Sequence, residues 1–137
     1  MPKIARRDCF PPPSHILVLE DDPNVAAALV SVLEDAGYRV TVAATVAEAG
    51  SILGRRKINL FVADIVLGDG TTFEILETVR RRAVPYLLIT GSIELVARFK
   101  TSDELYLTKP VKIETLLREV RRRIGPVYGA RQNRADG

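Results

Sequence analysis

The chain is predicted to fold as an α/β protein with a five-stranded, mainly parallel sheet and helices on both faces. Three observations carry that expectation. Short β-type apolar runs alternate with segments of helical period along the body of the chain. Two of the runs, around Ile16–Leu19 and Ile58–Ala63, are apolar nearly throughout, as strands covered on both faces should be. Four of the runs end in a reactive side chain, and in a parallel sheet the carboxyl ends of the strands share one edge.

The first strand is Ile16–Leu19. Asp22-Pro23 then opens a helix, with Asp22 as cap and proline at the first helical position. Val25, Leu29, Val32, Leu33 and Ala36 share one face, and Gly37 stops the helix. The second strand, about Tyr38–Ala43, mixes Arg39 and Thr41 into its run and suits a sheet edge. Thr45 and Glu48 have capping-box spacing and open a short helix through Leu53, weakened by Gly50 and Gly54.

The third strand is Ile58–Ala63, followed by a loop around Gly68-Asp69-Gly70. Thr71 and Glu74 repeat the capping-box spacing before a helix to about Arg82. The fourth strand is Tyr86–Ile89 after Pro85, and Ser92 is placed to cap a short helix over Ile93–Lys100. The fifth strand is Leu105–Leu107. The last helix, Lys112–Ile124, has the cleanest period: Ile113, Leu116, Leu117, Val120 and Ile124. With strand two at an edge, the expected order is 2-1-3-4-5, the flavodoxin-like doubly wound arrangement.

Outside the body, residues 1–14 read as an irregular arm with an extended Pro11-Pro12-Pro13, and 126–137 as a polar tail after Gly125-Pro126. Residues 15–125 are expected to form the domain. The full 137 residues suffice for one proper core. No apolar run is long enough to span a bilayer, no signal-peptide core follows Lys3, Arg6 and Arg7, and the single Cys9 excludes an internal disulfide. A cytoplasmic protein without membrane attachment is expected. The net charge of +3 comes partly from Arg80-Arg81-Arg82 and Arg121-Arg122-Arg123, both at helix ends, where cations suit the helix dipole. No nucleic-acid partner is expected, since no recognition motif accompanies these runs.

The strand ends bring together Glu20-Asp21-Asp22, Asp64, Thr90 and Lys109. Asp22 reads as a helix cap. Glu20 and Asp21 repel each other unless a cation sits between them. With Asp64 they supply the oxygen ligands that a hard divalent ion such as Mg²⁺ requires. An aspartate beside such an ion can attack a phosphoryl donor, a lysine can neutralise the transferred charge, and a hydroxyl can bond a phosphoryl oxygen. Each residue alone could be a cap, a turn or a loop residue. All four strand ends in order point to a metal and phosphoryl site.

The segments Ile16-Leu17-Val18-Leu19-Glu20-Asp21-Asp22-Pro23, Leu60-Phe61-Val62-Ala63-Asp64-Ile65-Val66-Leu67, Leu88-Ile89-Thr90-Gly91 and Tyr106-Leu107-Thr108-Lys109-Pro110 resemble the receiver domain of two-component response regulators over about residues 15–124. The resemblance implies that Asp64 is the phosphoacceptor, receiving its phosphoryl group from a histidine kinase or a histidine phosphotransfer protein. It implies that Asp21 binds Mg²⁺ directly, Glu20 through water and Val66 through its backbone carbonyl. Thr90 matches the switch hydroxyl, Lys109 the lysine that pairs with the phosphoryl group, Tyr106 the aromatic that reports phosphorylation, and Gly91 a small residue bordering the phosphoryl pocket.

Three features depart from the family pattern. Gly68 stands where many relatives carry proline and Thr72 where many carry glycine, which puts the stiffness of the loop after Asp64 in question. The interval from Thr90 to Lys109 is short, which suggests a reduced fourth helix with a polar Thr101-Ser102-Asp103 exit. It is similar to a subgroup of receivers with a Thr-Gly motif. No output domain follows the last helix, so the expectation is a single-domain regulator, monomeric or weakly dimeric, that acts on an unknown downstream protein. It is not expected to be an enzyme beyond assisting its own phosphorylation and dephosphorylation.

An apolar Val66 cannot orient an attacking water, so self-dephosphorylation should be slow and faster in Val66→Asn; timed phosphate release from both proteins checks this. The alternative reading is an unphosphorylated pseudo-receiver that only binds partners, although no acid, acceptor or lysine is lost. A small phosphohydrolase would want a second acid where Val66 stands, and a flavodoxin-like cofactor protein would not place Glu20-Asp21-Asp22 against a phosphate.

Overall fold

The computed structural model describes residues 13–92, 94, 97 and 106–125. Its elements in chain order are β1 His15–Leu19, α1 Pro23–Asp35, β2 Arg39–Ala43, α2 Val46–Arg55, β3 Leu60–Asp64, β4 Val66–Leu67, β5 Gly70–Thr71, α3 Phe73–Arg81, β6 Tyr86–Thr90, β7 Tyr106–Thr108 and α4 Ile113–Ile124. The main sheet has the order β2-β1-β3-β6-β7 with every neighbour parallel. This is the predicted doubly wound topology, the numbering differing only because the small hairpin β4-β5 intervenes.

Alternation along the strands divides the core into two layers. Leu17, Leu19, Phe61, Ala63 and Leu88 pack with Ala49, Ile52 and Leu53 of α2 and Leu76 and Val79 of α3. Ile16, Val18, Leu60, Val62, Leu87 and Ile89 pack with Leu29 and Leu33 of α1 and Leu116 and Val120 of α4. A sheet covered on both faces leaves its strand ends as the place where polar chemistry meets solvent.

Several local details differ from expectation. The third strand starts at Leu60, after the buried Ile58, and extends through Asp64. The fifth is described over Tyr106–Thr108, one residue past the expected Leu107, while Leu105 lies outside the described residues. In α1 the buried side chains are Ala26, Leu29 and Leu33, with the predicted Val25, Val32 and Ala36 partly covered against the same layer, so the inward face also includes Ala26. The loop after Asp64 folds back as the antiparallel β4-β5 pair, Val66 opposite Thr71 and Leu67 opposite Gly70.

The caps carry their own corrections. Asp22 caps α1 as predicted, accepting from the N–H groups of Asn24 and Val25. Thr45 caps α2 by accepting from the Glu48 N–H, while Glu48 reaches back to Ala44 rather than to Thr45. The Thr71–Glu74 pair makes half a capping box, Glu74 accepting from the Thr71 N–H at 2.8 Å, with Thr72 at the cap position.

Residues 1–12 of the expected arm, the expected tail at 126–137, and the expected Thr101-Ser102-Asp103 exit lie outside the described residues, as do all of Ile93–Lys100 except Glu94 and Ala97. Among the described residues, no helix is long and apolar enough to cross a membrane.

Candidate metal centre at the carboxyl edge of the sheet

The parallel register carries the reactive residues to one edge. Leu19 pairs with Ala63, Asp64 with Ile89, and Thr90 with Thr108, so the residues at and just after these ends are neighbours. Glu20 leaves β1 with its N–H donated to the Ala43 carbonyl of β2. Lys109 leaves β7 with its N–H donated to the Thr90 carbonyl of β6, ahead of a cis bond to Pro110.

At this edge the Lys109 ammonium lies 2.9 Å from Glu20 Oε1 and 2.9 Å from Asp64 Oδ2. The second Glu20 oxygen accepts from the Asp22 N–H at 3.1 Å. Both oxygens of this buried glutamate are therefore engaged by the protein, while Asp21 beside it is exposed. Burial of the Lys109 side chain favours its neutral form, but hydrogen bonds and charges from Glu20 and Asp64 outweigh that, holding its pKa above the ordinary lysine value. One carboxylate oxygen from each of Glu20, Asp21 and Asp64 lies within 4.8 Å of the others, a spacing that one cation can bridge.

Thr90 is buried, and its hydroxyl oxygen accepts from the Ser92 N–H at 3.0 Å. That bond occupies a lone pair and leaves the O–H as a donor. Gly91 is exposed, and a methyl group there would sit 3.8 Å from Lys109 Cβ, an ordinary contact. Tyr106 pairs with Leu88 and is partly buried against the layer that contains α2 and α3. Val66 lies in β4 and is 52% exposed. The structure thus brings Glu20, Asp21, Asp64, Thr90 and Lys109 to one edge, with Val66 and Tyr106 on adjoining elements.

Two further residues, not singled out as site residues from the sequence, hold the loop after Asp64. Asp69, between Gly68 and Gly70, accepts from the N–H groups of Val46 at 2.9 Å and Ala47 at 3.2 Å, which open α2. Those backbone donors, Val46 first, hold its carboxyl below the usual aspartate range despite some desolvation. Thr72 is wholly buried; its hydroxyl donates to the Asp64 backbone carbonyl and its N–H to the Ile65 carbonyl. The only hint in the sequence was the departure from the family pattern at Thr72.

Residues 16–121 match the family model of the response regulator receiver domain. The TorCAD operon transcriptional regulatory protein TorR of Escherichia coli strain K12 is 30% identical over 124 residues, which cover 88% of this chain and 54% of that protein. The chain therefore spans about half the length of that relative. An uncharacterized 14.6 kDa protein from the sodA1 3′ region of Leptolyngbya boryana is 35% identical over 112 residues, 77% of this chain and 86% of that one. The crystal structure of a CheY-like response regulator receiver domain protein from Methanospirillum hungatei JF-1 superposes with a TM-score of 0.71 at 26% identity, covering 91% of this chain and 99% of that chain. With its topology, its edge cluster and the matched span all falling on the same residues, the chain belongs to the response regulator receiver domain family.

Proposed function

We propose that this receiver domain is a Mg²⁺-dependent phosphoacceptor switch of the cytoplasm, in which Asp64 takes a phosphoryl group from a histidine on a kinase or phosphotransfer protein. The observation that carries the reading is the Lys109 ammonium held at once by Glu20 and Asp64, with Asp21 beside them. Three carboxylates converging on one point fit a hard divalent cation. Asp21 and Asp64 would hold it directly, Glu20 through water because both of its oxygens are already engaged, and Val66 through its carbonyl. When bound, the cation screens repulsion between Asp64 and the incoming donor and neutralises charge on the transferring group.

The chain's own residues then divide the work. An Asp64 carboxylate oxygen attacks phosphorus while the bond from phosphorus to the donor nitrogen breaks, the electron pair staying on the imidazole. Lys109, already within bonding distance of Asp64, follows the new negative charge. The Thr90 hydroxyl donates to a phosphoryl oxygen, and its movement opens space into which Tyr106 turns. The altered face at β6 and β7 is what a downstream protein would read. No turnover of an external substrate is part of this reading.

The test is incubation with Mg²⁺ and acetyl phosphate, read by intact mass. A gain of one phosphoryl group that disappears in Asp64→Asn and with chelator supports the switch. No gain with either acetyl phosphate or candidate kinases would leave the pseudo-receiver in its place.

A further inference from the structure

We infer that Thr72 is a positioning residue for the acceptor: its hydroxyl fixes the Asp64 peptide, and with it the carboxylate and the nearby Val66 carbonyl, for cation binding and phosphoryl transfer. The inference rests on the phosphoacceptor reading. Thr72 occupies the cap position of α3, yet its side chain makes no capping bond to the helix. It turns instead to the Asp64 carbonyl, while its N–H reaches the Ile65 carbonyl at 2.8 Å. The ladder between β1 and β3 pairs Leu19 with Ala63 as its last step, so Asp64 stands one residue past the support of β1. On the other side, the Ile65 N–H donates to Ile89 at 3.1 Å. The peptide that follows the acceptor is thus tied to β6 by its N–H and to the start of α3 by its carbonyl.

This arrangement answers the question raised by Gly68 and Thr72. A loop without the family's proline could flex, and flexing would move the acceptor. Here hydrogen bonds supply the stiffness: Asp69 pins the turn to α2, and Thr72 pins the loop's far end to its beginning. Thr72 is wholly buried, so bulk water has no ready access to replace the hydroxyl. Without it the acceptor's carbonyl loses its donor and the Asp64 peptide can rotate. Misplacement of a reacting group by a fraction of an ångström is enough to slow a transfer.

The experiment compares the full chain with Thr72→Val, which keeps the shape but lacks the hydroxyl, and Thr72→Ser, which keeps the hydroxyl. Mg²⁺ affinity is measured by calorimetry and labelling by acetyl phosphate from initial rates, at a temperature where denaturation curves show each protein folded. Thr72→Val should label roughly tenfold more slowly and bind Mg²⁺ more weakly, whereas Thr72→Ser should stay within about twofold of the native protein. Native rate and native Mg²⁺ affinity in Thr72→Val would overturn the inference, even with reduced stability, because a merely structural role moves only the stability. If Thr72→Val does not fold, Thr72→Gly, the residue common in the family, takes its place with the same two outcomes. If the native protein gains no phosphoryl group, the phosphoacceptor reading fails, and the Mg²⁺ affinities alone decide what the hydroxyl does.

Discussion

Both edges of the sheet carry dense charge, but they hold it differently. At the carboxyl edge Glu20 is buried, Asp64 nearly so, and one lysine serves both. At the amino edge Arg55, Arg56, Lys57 and Arg82 line a groove with Ser14 and Pro85, all four cations exposed. The last turns of α2, α3 and α4 are basic, with Arg55, Arg80-Arg81 and Arg121-Arg122-Arg123 respectively. Cations at helix carboxyl ends complement the dipole at little cost while water surrounds them. Buried carboxylates have no such freedom and need a counter-charge in a fixed place. Charge density therefore says little by itself; several carboxylates gathered around one ammonium mark the edge where chemistry is set up.

The largest break in this comparison is Lys109→Met. It leaves Glu20 and Asp64 facing each other without their cation, at a cost of about 1–3 kcal/mol, below the range for a fully buried pair because Lys109 is partly exposed. Chemical denaturation in chelator should show this loss. Added Mg²⁺ should then raise the melting temperature of Lys109→Met more than that of the native protein, since the ion takes over the missing charge. An equal response in the two proteins would mean that Lys109 and the cation do not share the same carboxylates. Labelling of Asp64 should fall by about a hundredfold or more.

The same contrast explains what the sequence made legible. Glu20, Asp21, Asp64, Thr90 and Lys109 each punctuate an apolar run, so strand ends could be found by eye and placed on one edge by the rule for parallel sheets. The covering of both sheet faces was legible in the central strands, whose runs are apolar nearly throughout. Asp69 escaped because its partners, the N–H groups of Val46 and Ala47, lie 23 and 22 residues away, and no local spacing announces a cap supplied from another loop. Thr72 stood out only as a departure from the family's glycine, and its partner, the Asp64 carbonyl eight residues earlier, becomes visible only in the folded loop. The β4-β5 hairpin has two residues in each strand, too few for a period to show. The face read for α1 held, with Leu29 and Leu33 buried and Val25, Val32 and Ala36 packed at the margin; only the buried Ala26 was not named.

Asp69→Asn gives a smaller effect on the acidic side, because it weakens a cap without touching the cluster. Asp69 is depressed in the folded state by its backbone donors, so its contribution is fully present above the unfolded value of 3.8 and is lost as pH falls through the lower folded value. The variant should melt a few degrees below the native protein at neutral pH. The gap should hold down to about pH 4 and close below it. A gap that stays constant into that acid range would show that the carboxylate charge plays no part in holding the loop to α2.

The basic edge supplies the smallest effect, and the most discriminating one, because one of its arginines does not fit the solvated pattern. Arg123 is largely buried: its Nε donates to the Tyr86 carbonyl at 3.1 Å, and its guanidinium meets both the backbone carbonyl and the carboxylate of Glu119. Arg122, one residue earlier, is 70% exposed and touches the same glutamate at 3.3 Å. If burial and shared partners decide what a charge is worth, these neighbours should separate. Arg123→Gln should lower stability by about 1 kcal/mol through the lost bond to Tyr86 and the weakened one to Glu119. Arg122→Gln should stay within about 0.5 kcal/mol of the native protein. Urea midpoints for the two variants measure the difference directly. Equal losses would mean that the amino edge acts through its summed charge, and the distinction drawn between the two edges would fall.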